Sequence, residues 1–107
     1  MSERLLVLTT VARADDAERV AEELVGRRLA ACVNVLPGVR SIYRWKGGVE
    51  RDEERLLLVK TRADRFEALR DAILALHPYE APELIAVPIE AGSATYLRWL
   101  DESVGKG

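Results

Sequence analysis

A long hairpin in the middle of the chain constrains the fold more than any other feature of the sequence. Residues alternate between two faces from Val39 to Trp45, and Gly47-Gly48 can supply a tight turn because both residues tolerate positive φ. The returning stretch from Val49 to Thr61 has 13 residues, which would extend roughly 43 Å if it were continuous. A compact domain of this size has a radius of gyration of only about 13 Å.

The hairpin must therefore bend sharply or project beyond its own core. Its tip carries Tyr43 and Trp45, which would form an exposed apolar patch on a monomer. Projecting strand edges also favour aggregation unless another chain covers them. We therefore expect a closed homo-oligomer, and a bulge near Glu50 to Arg55 that folds the hairpin back is the alternative. The acidic run Glu50 to Glu54 is expected to be a solvated face of the hairpin.

Before the hairpin, the pattern indicates a strand, a helix and a second strand. The apolar run from Leu5 to Val11 predicts a strand that is buried on both faces. Asp15, with Glu18 three residues later, predicts a capping box, and apolar residues then recur at helical spacing. Alternation from Ala31 to Leu36 predicts the next strand, which Pro37-Gly38 breaks or bends.

After the hairpin, two predicted helices flank one more strand. Asp64 with Glu67 predicts a second capping box, and Pro78 stops the helix that follows, because the residue before a proline avoids the α region. The stretch from Leu84 to Glu90 predicts a strand with its proline on an edge or at its end. Ser93 is expected to cap the last helix. The inner faces of the two helices are expected to carry Phe66, Leu69, Ile73, Leu76, Tyr96, Leu97, Leu100 and Val104.

The predicted order is β-α-β-β-α-β-α, an α+β class whose first six elements match the split β-α-β, ferredoxin-like arrangement. The chain is most simply a single domain over residues 1–107. A formal net charge of −2 argues against a nucleic-acid binder, which would concentrate positive charge. The one cysteine cannot form an internal disulfide, and the apolar run near the N-terminus is too short for a signal-peptide core or a membrane span. We therefore expect a cytoplasmic protein that binds neither nucleic acid nor membrane.

Several short motifs in a fixed order connect these elements to one known family. They are Leu29-Ala30-Ala31-Cys32-Val33-Asn34, Pro37-Gly38, Ser41-Ile42-Tyr43-Arg44-Trp45-Lys46-Gly47, Leu58-Val59-Lys60-Thr61, His77-Pro78-Tyr79-Glu80 with Pro82-Glu83, and Tyr96-Leu97-Arg98-Trp99-Leu100. With them the chain closely resembles the CutA divalent-cation tolerance family. The resemblance implies ferredoxin-like protomers in a tight trimer, as in the PII signal-transduction proteins, and a role in tolerance to divalent metals such as copper. It implies no enzymatic reaction and no required cofactor.

Cys32 and His77, the only cysteine and the only histidine of the chain, are the candidate metal ligands. Some members of the resembled family carry proposed copper ligands in the first strand and as a histidine pair. This chain has Thr9 and Leu76-His77 at those positions, so the resemblance carries over His77 alone. Two simpler interpretations stay open. Cys32 can be a small buried side chain in a strand, and His77 can satisfy carbonyls left open at a helix end.

A cleft between the subunits of the implied trimer is the candidate binding site. Its expected residues are Cys32, Lys60, Tyr79, Glu80 and Glu83. Two prolines stiffen the loop that carries the last three, so its carboxylates would lose less entropy when they bind a partner. Lys60 is the cation expected beside Cys32, and an ion pair of Glu83 with Lys60 or an arginine is the alternative role for that carboxylate.

Four aromatic residues are expected to anchor the subunit interface rather than to form a ligand cage. They are Tyr43, Trp45, Tyr96 and Trp99. The leading hypothesis is a cytoplasmic trimer that binds divalent metal ions, with copper first among them. The alternatives are a PII-like sensor of a small molecule, a small enzyme that uses Cys32 or His77, and a structural scaffold.

Overall fold

The predicted order of elements is confirmed in a computed structural model of the chain, which describes residues 3–105. The strands are β1 Arg4–Val11, β2 Cys32–Trp45, β3 Gly48–Arg62 and β4 Ile85–Pro88. The helices are α1 Ala14–Gly26, α2 Phe66–Leu76 and α3 Ala94–Ser103, and a 3-10 turn at Ala63–Arg65 leads into α2. The protein is therefore of the α+β class, as expected.

The four strands form one antiparallel sheet in the order β2-β3-β1-β4. β1 and β2 run in the same direction on either side of β3, which is the predicted split β-α-β arrangement. The central pair is in register from Arg4 opposite Arg62 to Val11 opposite Arg55. β4 pairs with β1 only from Leu5 to Leu8, so it covers the first half of that edge of β1.

Helices α1 and α2 cover one face of the sheet. Residues that lie directly opposite each other on paired strands share a face, and this face carries fully buried Val7 and Val11 of β1 with Leu57 and Val59 of β3. The buried helix residues that pack with them are Ala17, Val20, Leu24, Leu69, Ala72 and Ile73. This layer is the core that holds the sheet to the two helices.

The opposite face of the sheet, here called the open face, is also apolar but is less covered. It carries Leu6, Leu8, Leu36, Leu56, Leu58, Ile85 and Val87. Ile85 and Val87 of β4 are 53% and 42% exposed, and Leu36 is 38% exposed. The expectation that β1 is buried on both faces holds only in part for the single chain, because Leu6 and Leu8 on the open face are only partly buried, whereas Thr10 on that face is buried.

The hairpin of β2 and β3 extends well beyond the core. The protomer measures 44 × 25 × 23 Å, and within residues 36–53 of the described chain no side chain is buried. The register shifts between Leu36 and Val39, where Gly38 adopts a φ of +75°. The predicted interruption at Pro37-Gly38 is thus confirmed. The bulge lies in β2, and not in the returning stretch Glu50 to Arg55 that was the alternative position.

The tip of the hairpin is a two-residue turn displaced by one position from the predicted one. Trp45 pairs with Gly48, so Lys46 and Gly47 form the turn, with φ values of 49° and 84°. Positive φ at both central residues is the type I′ geometry that matches the twist of a two-stranded ribbon. Gly48 was expected in the turn but instead begins β3, because Lys46 accepts the left-handed conformation.

Both predicted capping boxes are absent, whereas the predicted serine cap is present. The N-cap residues of α1 and of the 3-10 turn before α2 are Arg13 and Arg62, neither of which makes a side-chain cap. Asp15 lies in the first turn of α1, where its carboxylate suits the helix dipole and accepts hydrogen bonds from the Arg13 guanidinium. Asp64 lies within the 3-10 turn and pairs with Arg62. The Ser93 hydroxyl accepts a hydrogen bond from the backbone amide of Tyr96 in α3 at 3.5 Å, as expected.

The C-terminal helix α3 is fastened to one end of the sheet by polar contacts. The Asp101 carboxylate accepts two hydrogen bonds from the Arg4 guanidinium, at 2.9 and 2.7 Å. Arg28 donates to the Glu102 carbonyl at 2.7 Å, and Arg62 donates to the Asp101 carbonyl at 3.2 Å. These arginines satisfy carbonyls at the end of the helix that have no intrahelical partner. None of the helices in residues 3–105 is long and apolar enough to cross a membrane.

β4 is shorter than predicted, Ile85–Pro88 instead of Leu84 to Glu90. It is an edge strand and Pro88 is its last residue, so the predicted place of the proline is confirmed. Proline has no amide hydrogen to donate to a neighbouring strand, and an edge or strand end tolerates that loss.

Candidate functional site

The five residues predicted for the cleft lie in two separate places on the protomer. Cys32 and Lys60 face each other across β2 and β3 near the base of the hairpin. Lys60 donates to the side-chain oxygen of Asn34, and the Cys32 sulfur lies 3.9 Å from the same oxygen. Asn34 therefore stands between the thiol and the ammonium. This asparagine belongs to the motif around Cys32, although the sequence alone gave no reason to single it out.

His77 is buried, and both of its ring nitrogens already have partners inside the chain. Its Nε2 lies 2.8 Å from the Thr10 carbonyl of β1, and its Nδ1 accepts the amide hydrogen of Tyr79 at 3.2 Å. These partners fit the tautomer that carries its hydrogen on Nε2. The histidine satisfies a carbonyl on β1 and not one at the end of α2, where Arg19 donates to the Leu76 carbonyl at 3.1 Å instead.

Tyr79 connects the loop after α2 to the hairpin. Its hydroxyl donates to the Glu54 carboxylate at 2.6 Å, and its ring meets the His77 ring edge-on with centroids 4.6 Å apart. Burial and the adjacent Glu54 carboxylate raise the pKa of Tyr79 well above its usual range. Glu54 itself is only 5% exposed. The expectation of a solvated acidic face from Glu50 to Glu54 is therefore wrong at its last residue.

An open groove of about 760 Å³, here called the hairpin groove, lies between the hairpin and the loop after α2. Its walls are Thr10, Ala12, residues 41–45, Asp52, Glu54 and residues 79–83. The Tyr43 hydroxyl donates to the Asp52 carboxylate in this groove. That hydrogen bond, with partial burial and the nearby carboxylates, raises the pKa of Tyr43 to about 12.

Three of the predicted cleft residues line the hairpin groove, and two do not. Tyr79, Glu80 and Glu83 contribute to its wall, whereas Cys32 and Lys60 lie outside it. Among residues 3–105, no ion pair joins Glu83 to a base, so the alternative role for that carboxylate is not observed. Within the same range, no three side chains of the types His, Cys, Asp and Glu are grouped to hold a metal ion.

The two positions at which the resembled family has other proposed ligands are occupied by packing residues. Thr9 is fully buried on the helix-covered face, and its hydroxyl has no hydrogen-bond partner among the described residues. Leu76 packs against the core at the end of α2. Neither position supplies a metal ligand to the site.

The four predicted interface aromatics are all exposed on the protomer. Tyr43 and Trp45 are 41% and 39% exposed at the hairpin, and Tyr96 and Trp99 are 41% and 45% exposed on α3. The two rings on α3 contact each other with centroids 5.4 Å apart. Large aromatic side chains left this open to solvent are available to an interface.

Known proteins match the chain over almost its whole length. A family model described as CutA1 divalent ion tolerance protein matches residues 5–103. A divalent-cation tolerance protein CutA of Thermus thermophilus is 51% identical over 100 residues, covering 94% of this chain and 97% of that protein. The chloroplastic protein CutA 1 of Oryza sativa is 42% identical over 99 residues, but the chain spans only 56% of its length.

Solved structures of such proteins share the fold. A structure of the divalent cation tolerance protein from Thermus thermophilus has a TM-score of 0.93 at 50% identity, and the match covers 95% of this chain and 99% of that one. The crystal structure of CutA1 from Oryza sativa has a TM-score of 0.94 at 40% identity, with 99% and 97% of the two chains covered. The similarity extends through the projecting hairpin, because it includes nearly every residue of both chains.

Proposed function

This chain belongs to the CutA1 divalent ion tolerance protein family, and from that premise we propose that it acts in tolerance to divalent metal ions, copper first among them, as a cytoplasmic homotrimer. The observation that supports this most is the family match over residues 5–103. The role is one of binding, and we assign the chain no reaction.

The exposed surfaces of the protomer support the homotrimer. The open face offers leucines and β4 side chains to solvent, and residues 36–53 of the hairpin hold no buried side chain. Apolar sheet surfaces and unpaired strand edges of this kind are stabilised when another copy covers them. A closed ring of three copies would cover all three hairpins equally.

The separation of the candidate ligands supports a metal site shared between copies. Cys32 with Lys60, and Tyr79 with Glu80 and Glu83, lie in two different places on one protomer. The described residues of a single copy group no three metal-binding side chains. A thiolate from one copy and carboxylates from the next would provide a soft and a hard ligand together, and the thiolate favours copper. His77 would have to give up a hydrogen bond to take part.

Calorimetry with Cu(II), Cu(I) and Zn(II) on the assembled protein tests this role. We expect binding tighter than millimolar that weakens at least tenfold in Cys32→Ser. The matched control is Ala75→Ser, an exposed position of α2 outside both groups of candidate ligands, which should leave the affinity unchanged. Binding that is absent, or equal in Cys32→Ser and the parent protein, would rule out the shared site. Cell fractionation tests the compartment, since relatives are described as chloroplastic and periplasmic.

A second candidate function, a trimeric sensor of a small molecule, is favoured by the hairpin groove. Its volume of about 760 Å³ lies within the range of small-molecule sites. Its walls join the hairpin to the loop after α2, so an occupant would contact two elements that could report its presence. A thermal-shift screen of metabolites and metal salts separates the two functions, because a ligand of the native state raises the unfolding midpoint.

A further inference from the structure

The hairpin groove concentrates negative charge on its walls. Four of its wall residues are carboxylates, Asp52, Glu54, Glu80 and Glu83, and one is a base, Arg44. An excess of one sign of charge inside a concave site raises the local concentration of ions of the opposite sign. The groove therefore selects for cationic occupants over anionic ones.

One of these carboxylates has no cationic counterpart within the described chain. Glu54 is only 5% exposed and lines the groove, and it accepts a hydrogen bond from the Tyr79 hydroxyl. No lysine, arginine or histidine among residues 3–105 forms an ion pair with it. Burying a charge is costly unless an opposite charge lies beside it. An opposite charge that pairs with Glu54 would therefore lie in the groove.

Aromatic rings form a further part of the groove wall. Tyr43, Trp45 and Tyr79 all contribute to it, and the faces of such rings attract cations. The Lys46 ammonium of the turn already lies 5.8 Å from the centroid of the Trp45 ring. The raised pKa of Tyr43, to which Asp52, Glu50 and Glu54 all contribute, reflects the same negative field.

We propose that the hairpin groove binds an organic ammonium ion, an alkylammonium whose charge meets Glu54 and whose apolar body lies against the aromatic rings. Two observations favour this class over a bare metal ion. The described residues do not group three metal-binding side chains, and a hydrated metal ion makes no use of aromatic walls. The inference rests on the second candidate function, that of a small-molecule sensor, and gives it a ligand class.

Calorimetry on the assembled protein at low ionic strength tests this with n-butylammonium as the probe. Its neutral counterpart 1-butanol and magnesium chloride at matched ionic strength are the controls. We expect n-butylammonium to bind at least about tenfold more tightly than either, because it alone combines charge with an apolar body. Equal affinity for magnesium, or no binding of n-butylammonium, overturns the proposal.

Two matched pairs of variants locate the binding. Glu54→Gln should weaken the binding of n-butylammonium at least about tenfold. Glu53→Gln, which replaces an exposed neighbour on the other face of β3, should change the affinity less than about twofold. If Glu54→Gln does not fold, Glu80→Gln of the groove wall replaces it, with the equally exposed Glu67→Gln of α2 as its control. Equal effects within a pair also overturn the proposal.

The same measurements separate this inference from the function on which it rests. If a neutral or anionic metabolite raises the unfolding midpoint and n-butylammonium does not, the sensor function is supported and the ammonium ligand is ruled out. The groove could also bind none of the probes while a structure of the assembly shows a basic side chain of a second copy beside Glu54. That result would assign the missing charge to the assembly and overturn the proposal.

Discussion

The inner part of the hairpin, where β3 lies beside β1, differs sharply from the outer part beyond Gly38. In the inner part, Leu57 and Val59 of β3 are fully buried under α1 and α2. In the outer part, Ile42 and Val49 are 63% and 53% exposed. The same two strands therefore meet the core at one end and solvent at the other.

This difference separates residues that stabilise the fold of the single chain from residues that the proposed assembly would cover. Burial of apolar area stabilises the inner part at about 25 cal/mol per Å². The outer part gains little from its own chain, yet it carries Trp45, Tyr43 and a buried glutamate at its border. We attribute these side chains to the assembly and to the groove, because the protomer core leaves them unexplained.

The largest expected effect is a contrast between two leucines of neighbouring strands. Leu57→Ala should lower the free energy of unfolding by about 2–5 kcal/mol, because it leaves a cavity in the core. Leu36→Ala removes the same atoms from a side chain that is 38% exposed, and its loss should be under half as large. Urea denaturation, with light scattering of the native state in parallel, measures both. Equal losses with an unchanged oligomer would contradict the contrast.

The next effect compares two tyrosines that each donate to a carboxylate. Tyr79→Phe should cost about 1–3 kcal/mol, since buried Glu54 would lose its hydrogen-bond donor. Tyr43→Phe removes a similar bond to the exposed Asp52, where water can replace the hydroxyl, so the loss of unfolding free energy should be smaller than for Tyr79→Phe. Thermal unfolding of the two variants decides between them. A larger loss for the Tyr43 variant would show that the outer part is the more tightly organised one.

A smaller effect marks the boundary between the two parts. Gly38→Ala should cost about 1 kcal/mol, because a φ of +75° is strained for any residue with a Cβ atom. No atom lies within 4 Å of the position that the Cβ would take, so the cost comes from the backbone alone. Gly48→Ala, at the first residue of β3 and without positive φ, is the matched control. An unchanged free energy of unfolding in Gly38→Ala would mean that the bulge does not depend on glycine.

The smallest effect is a titration at alkaline pH. Because the pKa of Tyr43 is raised to about 12, from about 10 in an unfolded chain, the protonated phenol favours the folded state. Its contribution is complete below about pH 10 and is lost as the pH rises through about 12. Tyrosinate absorbance of the parent protein and of Asp52→Asn measures this. Ionisation of Tyr43 should move to lower pH in the variant, and an unchanged titration would contradict the hydrogen bond.

The elements of the fold could be predicted from the sequence, but many of their ends could not. A continuous apolar run placed β1, and helical spacing placed both core helices, because packing against one face imposes that spacing on a helix. The capping boxes failed because Arg13 and Arg65 precede the two helices and the acidic residues pair with nearby arginines. The turn lies one residue earlier than predicted because Lys46 adopts a positive φ. The pattern of side chains in the sequence does not indicate that conformation.

The candidate site could be predicted only in part, because it depends on contacts between distant residues. Tyr79, Glu80 and Glu83 share the hairpin groove of a single chain, whereas the predicted cleft between subunits stays a prediction. Glu54 was missed, since the four residues before it are charged and exposed and only the fold brings Tyr79 to it. Neither that contact nor the bond between His77 and the Thr10 carbonyl leaves a local signal, because the paired residues lie 25 and 67 positions apart along the chain.

Light scattering coupled to size exclusion, at micromolar concentrations of the purified protein, tests most directly whether the outer hairpin serves an assembly. We predict one species with three times the 11.9 kDa mass of the protomer, and dissociation on replacing the tip residue Trp45 with a charged residue. A single species of one protomer mass throughout that range would contradict the proposal, since the exposed hairpin and the open face would then have no covering copy.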